Sequence, residues 1–217
     1  MKNLKNLMVY SYLLLSLSAC SQDESITPIK EYETCCGAEP VEFNIELNDG
    51  TKAYIFTPNA FTPNSDGIND VFSPVLSKDI NYMLYLVIQK EVFDDTTSSL
   101  LYQVENITLE NFRSLGWNGL DKLGNPHKGA FTYTAFCATK DGKTFLIKGK
   151  ACAIICDNDA AYFKDKQGCF FPVQANTAGI LNQNQTNMED QCFGNWKWKW
   201  KGKGKGMASN NTVYDDS

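Results

Sequence analysis

The chain has 217 residues, 20 Lys plus Arg against 25 Asp plus Glu, and a formal net charge of −5. Nothing in that balance suggests a nucleic-acid binder, and a single histidine excludes multi-histidine metal or proton-relay sites. The length is enough for one sandwich-sized domain with extensions.

The first residues read as a secretory leader. Lys2 and Lys5 give a positive start, and Leu7 to Ala19 is uncharged and rich in Leu13, Leu14, Leu15 and Leu17. This run is well short of the roughly 20 residues of a spanning helix. Its end, Leu17-Ser18-Ala19-Cys20, resembles a bacterial lipobox. The resemblance implies cleavage after residue 19 and acylation of Cys20, with two or more chains each contributing about 0.8 kcal/mol per buried CH₂. The competing reading is an ordinary leader with Cys20 kept as a disulfide partner. Residues 20–37 carry no apolar periodicity and are expected to form a flexible tether. The acidic Ser21-Gln22-Asp23-Glu24-Ser25 resembles the surface-export signal of Bacteroidetes lipoproteins.

Residues 38–156 read as β throughout. Val41 to Leu47 alternates apolar and polar, and Asn48-Asp49-Gly50 turns it. Ala53–Phe56, Tyr82–Ile88 and Leu100–Val104 are further strand candidates, and Leu109–Leu115 is long enough for one or two helical turns. Phe131 to Cys137 is the clearest strand, with Phe131, Tyr133 and Ala135 on one face. Asp141-Gly142 turns it into Thr144–Ile147, a hairpin, and Ala151–Ile155 closes the series. Short strands separated by turn signals predict an all-β fold, an antiparallel sandwich.

Within this region Thr57 to Phe72 reads Thr-Pro-Asn-Ala-Phe-Thr-Pro-Asn-Ser-Asp-Gly-Ile-Asn-Asp-Val-Phe. It resembles the opening of the gliding-motility-associated domain of Bacteroidetes, with Ser65 where that family usually has glycine. Trp117-Asn118-Gly119 looks like the family's Trp-Asp-Gly, and Gly124 followed by Lys128 to Tyr133 looks like its strand entry. The resemblance covers residues 54–155 and implies an Ig-like sandwich. The family's Asn-Arg-Trp-Gly turn is absent after Ile88. With a lipid anchor at one end and about 60 residues following the domain, the family's sorting role is not expected here.

Two readings of the first motif compete. Asn64, Asp66, Asn69 and Asp70 are calcium candidates, since they supply hard oxygens around Gly67. An EF-hand register, however, puts Thr62 first and Ser73 last, without the key carboxylates. The other reading is a turn held by side-chain-to-backbone bonds. His127 lies in a loop with no partner of its kind, paired carboxylates such as Asp94-Asp95 fall in loops, and no phosphate-binding glycine loop occurs. No cofactor and no catalytic set are expected. Asp95-Thr96-Thr97 resembles the Bacteroidetes O-glycosylation sequon, with Thr96 as acceptor.

Beyond Cys156 the composition changes. Residues 157–195 form an irregular, Asn- and Gln-rich extension, and 196–217 a low-complexity tail with Trp196, Trp198 and Trp200 alternating with lysines. Seven cysteines follow Cys20, and in an exported chain they form a disulfide framework. Zinc is disfavoured because no Cys-x-x-Cys occurs. A bridge between the neighbours Cys35 and Cys36 needs a strained ring, so one of them is expected to pair with the distant group and the other to remain free. Cys169 with Cys192 is the preferred internal pair, closing about 24 residues and contributing roughly 3 kcal/mol. A second bridge draws on Cys137, Cys152 and Cys156.

These features together predict a non-catalytic, lipid-anchored protein of the cell envelope, attached to the outer membrane and surface-exposed. Its expected role is structural, adhesive or in gliding and surface display, with other surface proteins or glycans as partners and no nucleic acid. The alternative is a carbohydrate-binding accessory lipoprotein of a nutrient-uptake system, with the three tail tryptophans as its platform.

Overall fold

The computed structural model describes residues 29–37, 39–91, 99–108 and 110–194. Cys20, Thr96 and the tail tryptophans lie outside the described residues. About 40% of the chain is strand, helices are few, and the strands form two sheets. Strands β1 (Val41–Glu46) and β2 (Lys52–Thr57) pair as an antiparallel hairpin, and the short β4 (Val75–Leu76) extends that sheet beyond β2. The second sheet runs in the order β3 (Ala60–Phe61), β8 (Thr144–Ala153), β7 (Gly129–Thr139), β5 (Ile80–Lys90) and β6 (Leu100–Ile107). A single helical turn, α1 (Phe112–Leu115), lies between β6 and β7.

The strand periodicity is kept. On β7, Phe131, Tyr133, Ala135 and Cys137 are buried while the residues between them are partly exposed. These side chains meet Ala53, Ile55 and Leu76 of the smaller sheet and Met83, Leu86 and Ile88 of β5 in one core. The turn at Asn48-Asp49-Gly50 is held by Asp49 Oδ1, which accepts from both the amide and the hydroxyl of Thr51. Two expectations change. The segments 144–147 and 151–153 belong to one strand, which ends before Ile154, because β7 offers unbroken pairing from Gly129 opposite Ala153 to Ala138 opposite Thr144. The fold is also not purely antiparallel: β3 runs parallel to β8, with Ala60 opposite Cys152 and Phe61 opposite Ala153. Pro58 and Pro63 bracket β3 and confine it to two residues.

The three motif blocks converge in the core. Phe61, Phe72, Trp117, Phe131 and Tyr133 form one aromatic cluster, with ring centroids 4.9 Å apart for Phe72–Phe131 and for Trp117–Phe131 and 5.5 Å for Phe61–Trp117. Trp117 is wholly buried, and its indole N–H donates to the Leu120 carbonyl at 2.6 Å. Phe72 and Trp117 also exchange both backbone hydrogen bonds. Gly119, at φ +83°, lets the second block lie on the first, since a Cβ there would stand 2.7 Å from Pro63 Cγ.

Residues 29–37, expected within the flexible tether, are packed instead. Lys30–Tyr32 forms a 3₁₀ turn, and Tyr32 is fully buried in a second core with Ala60, Cys152, Ile154, Ala160, Phe163, Phe171 and Phe193. The extension after Cys156 supplies much of this core through 3₁₀ turns at Asn158–Phe163 and Pro172–Gln174 and the short helix α2 (Asp190–Phe193). Periodicity could not announce Tyr32, because a single aromatic anchors the segment. Its ring packs edge-on against Phe163 at 4.9 Å, and its hydroxyl accepts from the Ile155 amide at 2.9 Å.

Truncating a buried aromatic costs on the order of 3–5 kcal/mol. Phe61→Ala and Trp117→Ala should each lower the unfolding free energy by about that amount in chemical denaturation; unchanged midpoints would remove these residues from the core.

Candidate functional site

The first motif block closes on itself. Asp70 Oδ1 accepts from the amides of Asn64 (3.0 Å) and Ser65 (2.5 Å), and Asp70 Oδ2 accepts from Gly67 at 2.6 Å. Asn64 Oδ1 accepts from the Asp66 amide, and Asp66 Oδ1 from the Ile68 amide. The carboxylates and amides proposed for calcium are therefore occupied by backbone N–H groups, as a structural turn requires. Ser65 sits at φ 64°, the left-handed region in which a glycine is free of steric cost.

The fourth candidate, Asn69, points elsewhere. Its Nδ2 donates to the Asn187 carbonyl (2.8 Å) and to Glu189 Oε1 (2.6 Å), and its Oδ1 accepts from the Val173 amide at 3.0 Å. Thr62 Oγ1 donates to the same Glu189 oxygen at 2.5 Å. Glu189 is 1% exposed, and its Oε2 is buried without a hydrogen-bond partner. Burial holds its carboxyl above the ordinary range, opposed by the Thr62 and Asn69 hydrogen bonds and reinforced by the nearby charges of Asp66 and Asp70. Glu189 thus fastens the extension to the motif loop. Nothing in the sequence separates it from its neighbour Asp190, so only the fold reveals it.

The cysteine pairing differs from expectation. Cys35 bonds Cys152, Cys36 bonds Cys169, and Cys156 bonds Cys192, with Cα separations of 5.6, 4.7 and 4.9 Å. The Cys169–Cys192 pair is not formed, and both members of the Cys35–Cys36 pair are used. Cys36 adopts φ 61°, which sends adjacent half-cystines to different elements. Among the described residues the free thiol is Cys137, on the core face of β7, where burial pushes its pKa up to about 12. Cys156, Cys192 and Glu189 bring ligand-type atoms within 4.8 Å of one another, but the two sulfurs are bonded together and neither is a thiolate.

His127 joins the aromatic cluster instead of a triad. Its ring lies 5.8 Å from Trp117, Nε2 is 3.1 Å from the Ala130 carbonyl oxygen, and burial holds its pKa below the ordinary value. A cleft of about 180 Å³ opens on the face of β1 and β2 turned away from the core. Asn44 lies directly opposite Tyr54, and Glu42 is on the same face. Gly179 and Ile180 wall the cleft, in a loop held by Asn176 Oδ1, which accepts from the amides of Ala178 and Ile180. The strand alternation placed Tyr54 on this face. The covering loop comes from more than a hundred residues away, and no local pattern predicts it.

Two outcomes follow. Alkylation of the denatured, unreduced chain from residue 21 onward should label one cysteine, Cys137, and native protein should resist labelling; label at Cys35 or Cys36 would refute the pairing. Because the folded-state pKa of Glu189 is raised, its contribution is most favourable below the unfolded value and is lost as pH rises through the folded one. Denaturation midpoints measured upward from pH 4 should therefore decline less steeply for Glu189→Gln than for wild type, and parallel profiles would exclude the buried carboxyl as the cause. No protein-family model, curated protein or solved structure matches the chain.

Proposed function

We propose that the protein is a non-catalytic, lipid-anchored cell-envelope protein whose two sheets form an Ig-like sandwich of the gliding-motility-associated kind, with a structural, adhesive or surface-display role. The observation that carries this reading is the meeting of the three motif blocks in one aromatic cluster through Phe61, Phe72, Trp117, Phe131 and Tyr133. Residues far apart in sequence that resemble one family's signature serve a single packing purpose. The motif's polar groups support the non-catalytic part, since they hold backbone amides and the extension. Anchoring rests on the Leu17–Cys20 leader end. Among the described residues no helix is long and apolar enough to cross a membrane.

Expressed in a Bacteroidetes host, wild-type protein should incorporate a labelled fatty acid and sediment with outer membranes. Cys20→Ser should lose the label and the membrane association together. Equal labelling of both would end the anchoring reading.

The outer cleft favours a second reading, carbohydrate binding. A tyrosine ring, a carboxylate and an amide on one face are groups that stack on and hydrogen-bond a polyhydroxylated ring. The volume is below the 300–1,000 Å³ of typical ligand pockets, which suits a single sugar unit. On a glycan array, any ligand of the cleft should lose about tenfold or more in binding with Tyr54→Ala. Binding that is absent, or insensitive to that change, would count against the cleft.

A further inference from the structure

The disulfides close the chain in a particular order. Cys35 stands before β1, the first strand, and is joined to Cys152 near the end of β8, the last one. Four residues later Cys156 is joined to Cys192, at the end of the described chain. A continuous covalent route therefore runs from residue 35 to 152, along the backbone to 156, and across to 192. Cys36 with Cys169 provides a second crossing beside the first. Nothing between residues 37 and 151 lies on either route.

We infer that this protein transmits tension between its two ends through sulfur bridges, and that its sheets hang outside the path of the force. The inference stands on connectivity and does not need the lipid; an anchor at Cys20 would supply one of the two points of attachment. Without the bridges, a pull on the N-terminal end would strip residues 29–37 from the second core and then peel β1. That strand is an edge, so its hydrogen bonds to β2 would open one after another. With the bridges in place, force entering at Cys35 or Cys36 passes directly to β8 or to the Cys169 segment. The second core, built mostly from residues 29–37 and 152–193 with Ala60 of β3 at its wall, is the junction where both ends are fastened. Glu189 adds a non-covalent tie there by holding Thr62 and Asn69 against α2.

Force spectroscopy on the chain from residue 21 onward, with handles at its two ends, tests this. Unreduced protein should show no unfolding step longer than about 20 Å, the reach of the few residues between bridges at 3.3–3.6 Å each. With a thiol reductant present, residues 35–192 should release a contour length on the order of 500 Å. The double variant Cys156→Ser/Cys192→Ser should add a step of about 80 Å, the stretch from residue 169 to 192, with the sheets still bypassed. A step of several hundred ångströms in unreduced wild-type protein would overturn the inference by placing the sheets in the path. That measurement decides even if the double variant does not fold. The lipid reading is tested separately by the Cys20 label, so failure of one leaves the other intact.

Discussion

Ala60 and Phe61 lie beside Cys152 and Ala153 in a two-residue parallel pairing, and this short contact separates two cores. Side chains alternate across it: Phe61 and Ala153 enter the core between the sheets, while Ala60, Cys152 and Ile154 enter the second core. Backbone bonds hold the seam on both sides, with the Cys152 amide donating to the Asn59 carbonyl at 2.9 Å and the Ile154 amide to Phe61 at 2.9 Å. Asn59 continues it into the extension, since its Nδ2 donates to the Gly168 carbonyl and its Oδ1 accepts from the Phe170 amide. Remove this seam and neither core has a wall.

The second core is small and needs covalent help. It is assembled from a nine-residue entry segment, the end of one strand and an extension without strands, each too short to bury its own surface. Two of the bridges have sequence separations of 117 and 133 residues. Closing the first restricts the unfolded chain by on the order of 5 kcal/mol in chain-entropy terms, and the second, which then closes only the stretch from residue 152 to 169, adds roughly 3. Tyr32 then completes the packing, with the Lys128 ammonium 5.2 Å from its ring centroid and bonded in turn to Asp157 and Asp159. The same bridges that make the core possible determine how the two ends of the protein are connected.

The polar motif follows the same logic of satisfaction. A loop that passes between two cores must pair its backbone amides locally, because neighbouring strands do not reach them. Asp70 alone takes three, and Asn64 and Asp66 one each. These oxygens hold the loop's own amides. Glu189 is the exception: one oxygen collects two donors and the other has none. Burial raises the pKa of this group, and the two donated hydrogen bonds oppose that rise.

Local patterns carried the strands, because a half-buried strand must alternate, and Val41–Glu46 and Gly129–Thr139 do so. They also carried the hairpin turns at Asp49-Gly50 and Asp141-Gly142, and the aromatic residues of the motif blocks, whose size leaves them few places but a core. What they could not carry was every feature that depends on two distant segments meeting. The partners of Cys35 and Cys36, the burial of Tyr32, the parallel seam at Phe61, the role of Glu189 and the loop over Tyr54 have no periodic signature. Each is decided by where the chain returns after some ninety residues or more, or by which neighbour a single side chain finds there. The lack of a predicted strand between them argued for Cys169 with Cys192. The fold chose Cys156 with Cys192 and Cys36 with Cys169, because a disulfide answers to the distance between Cα atoms in space.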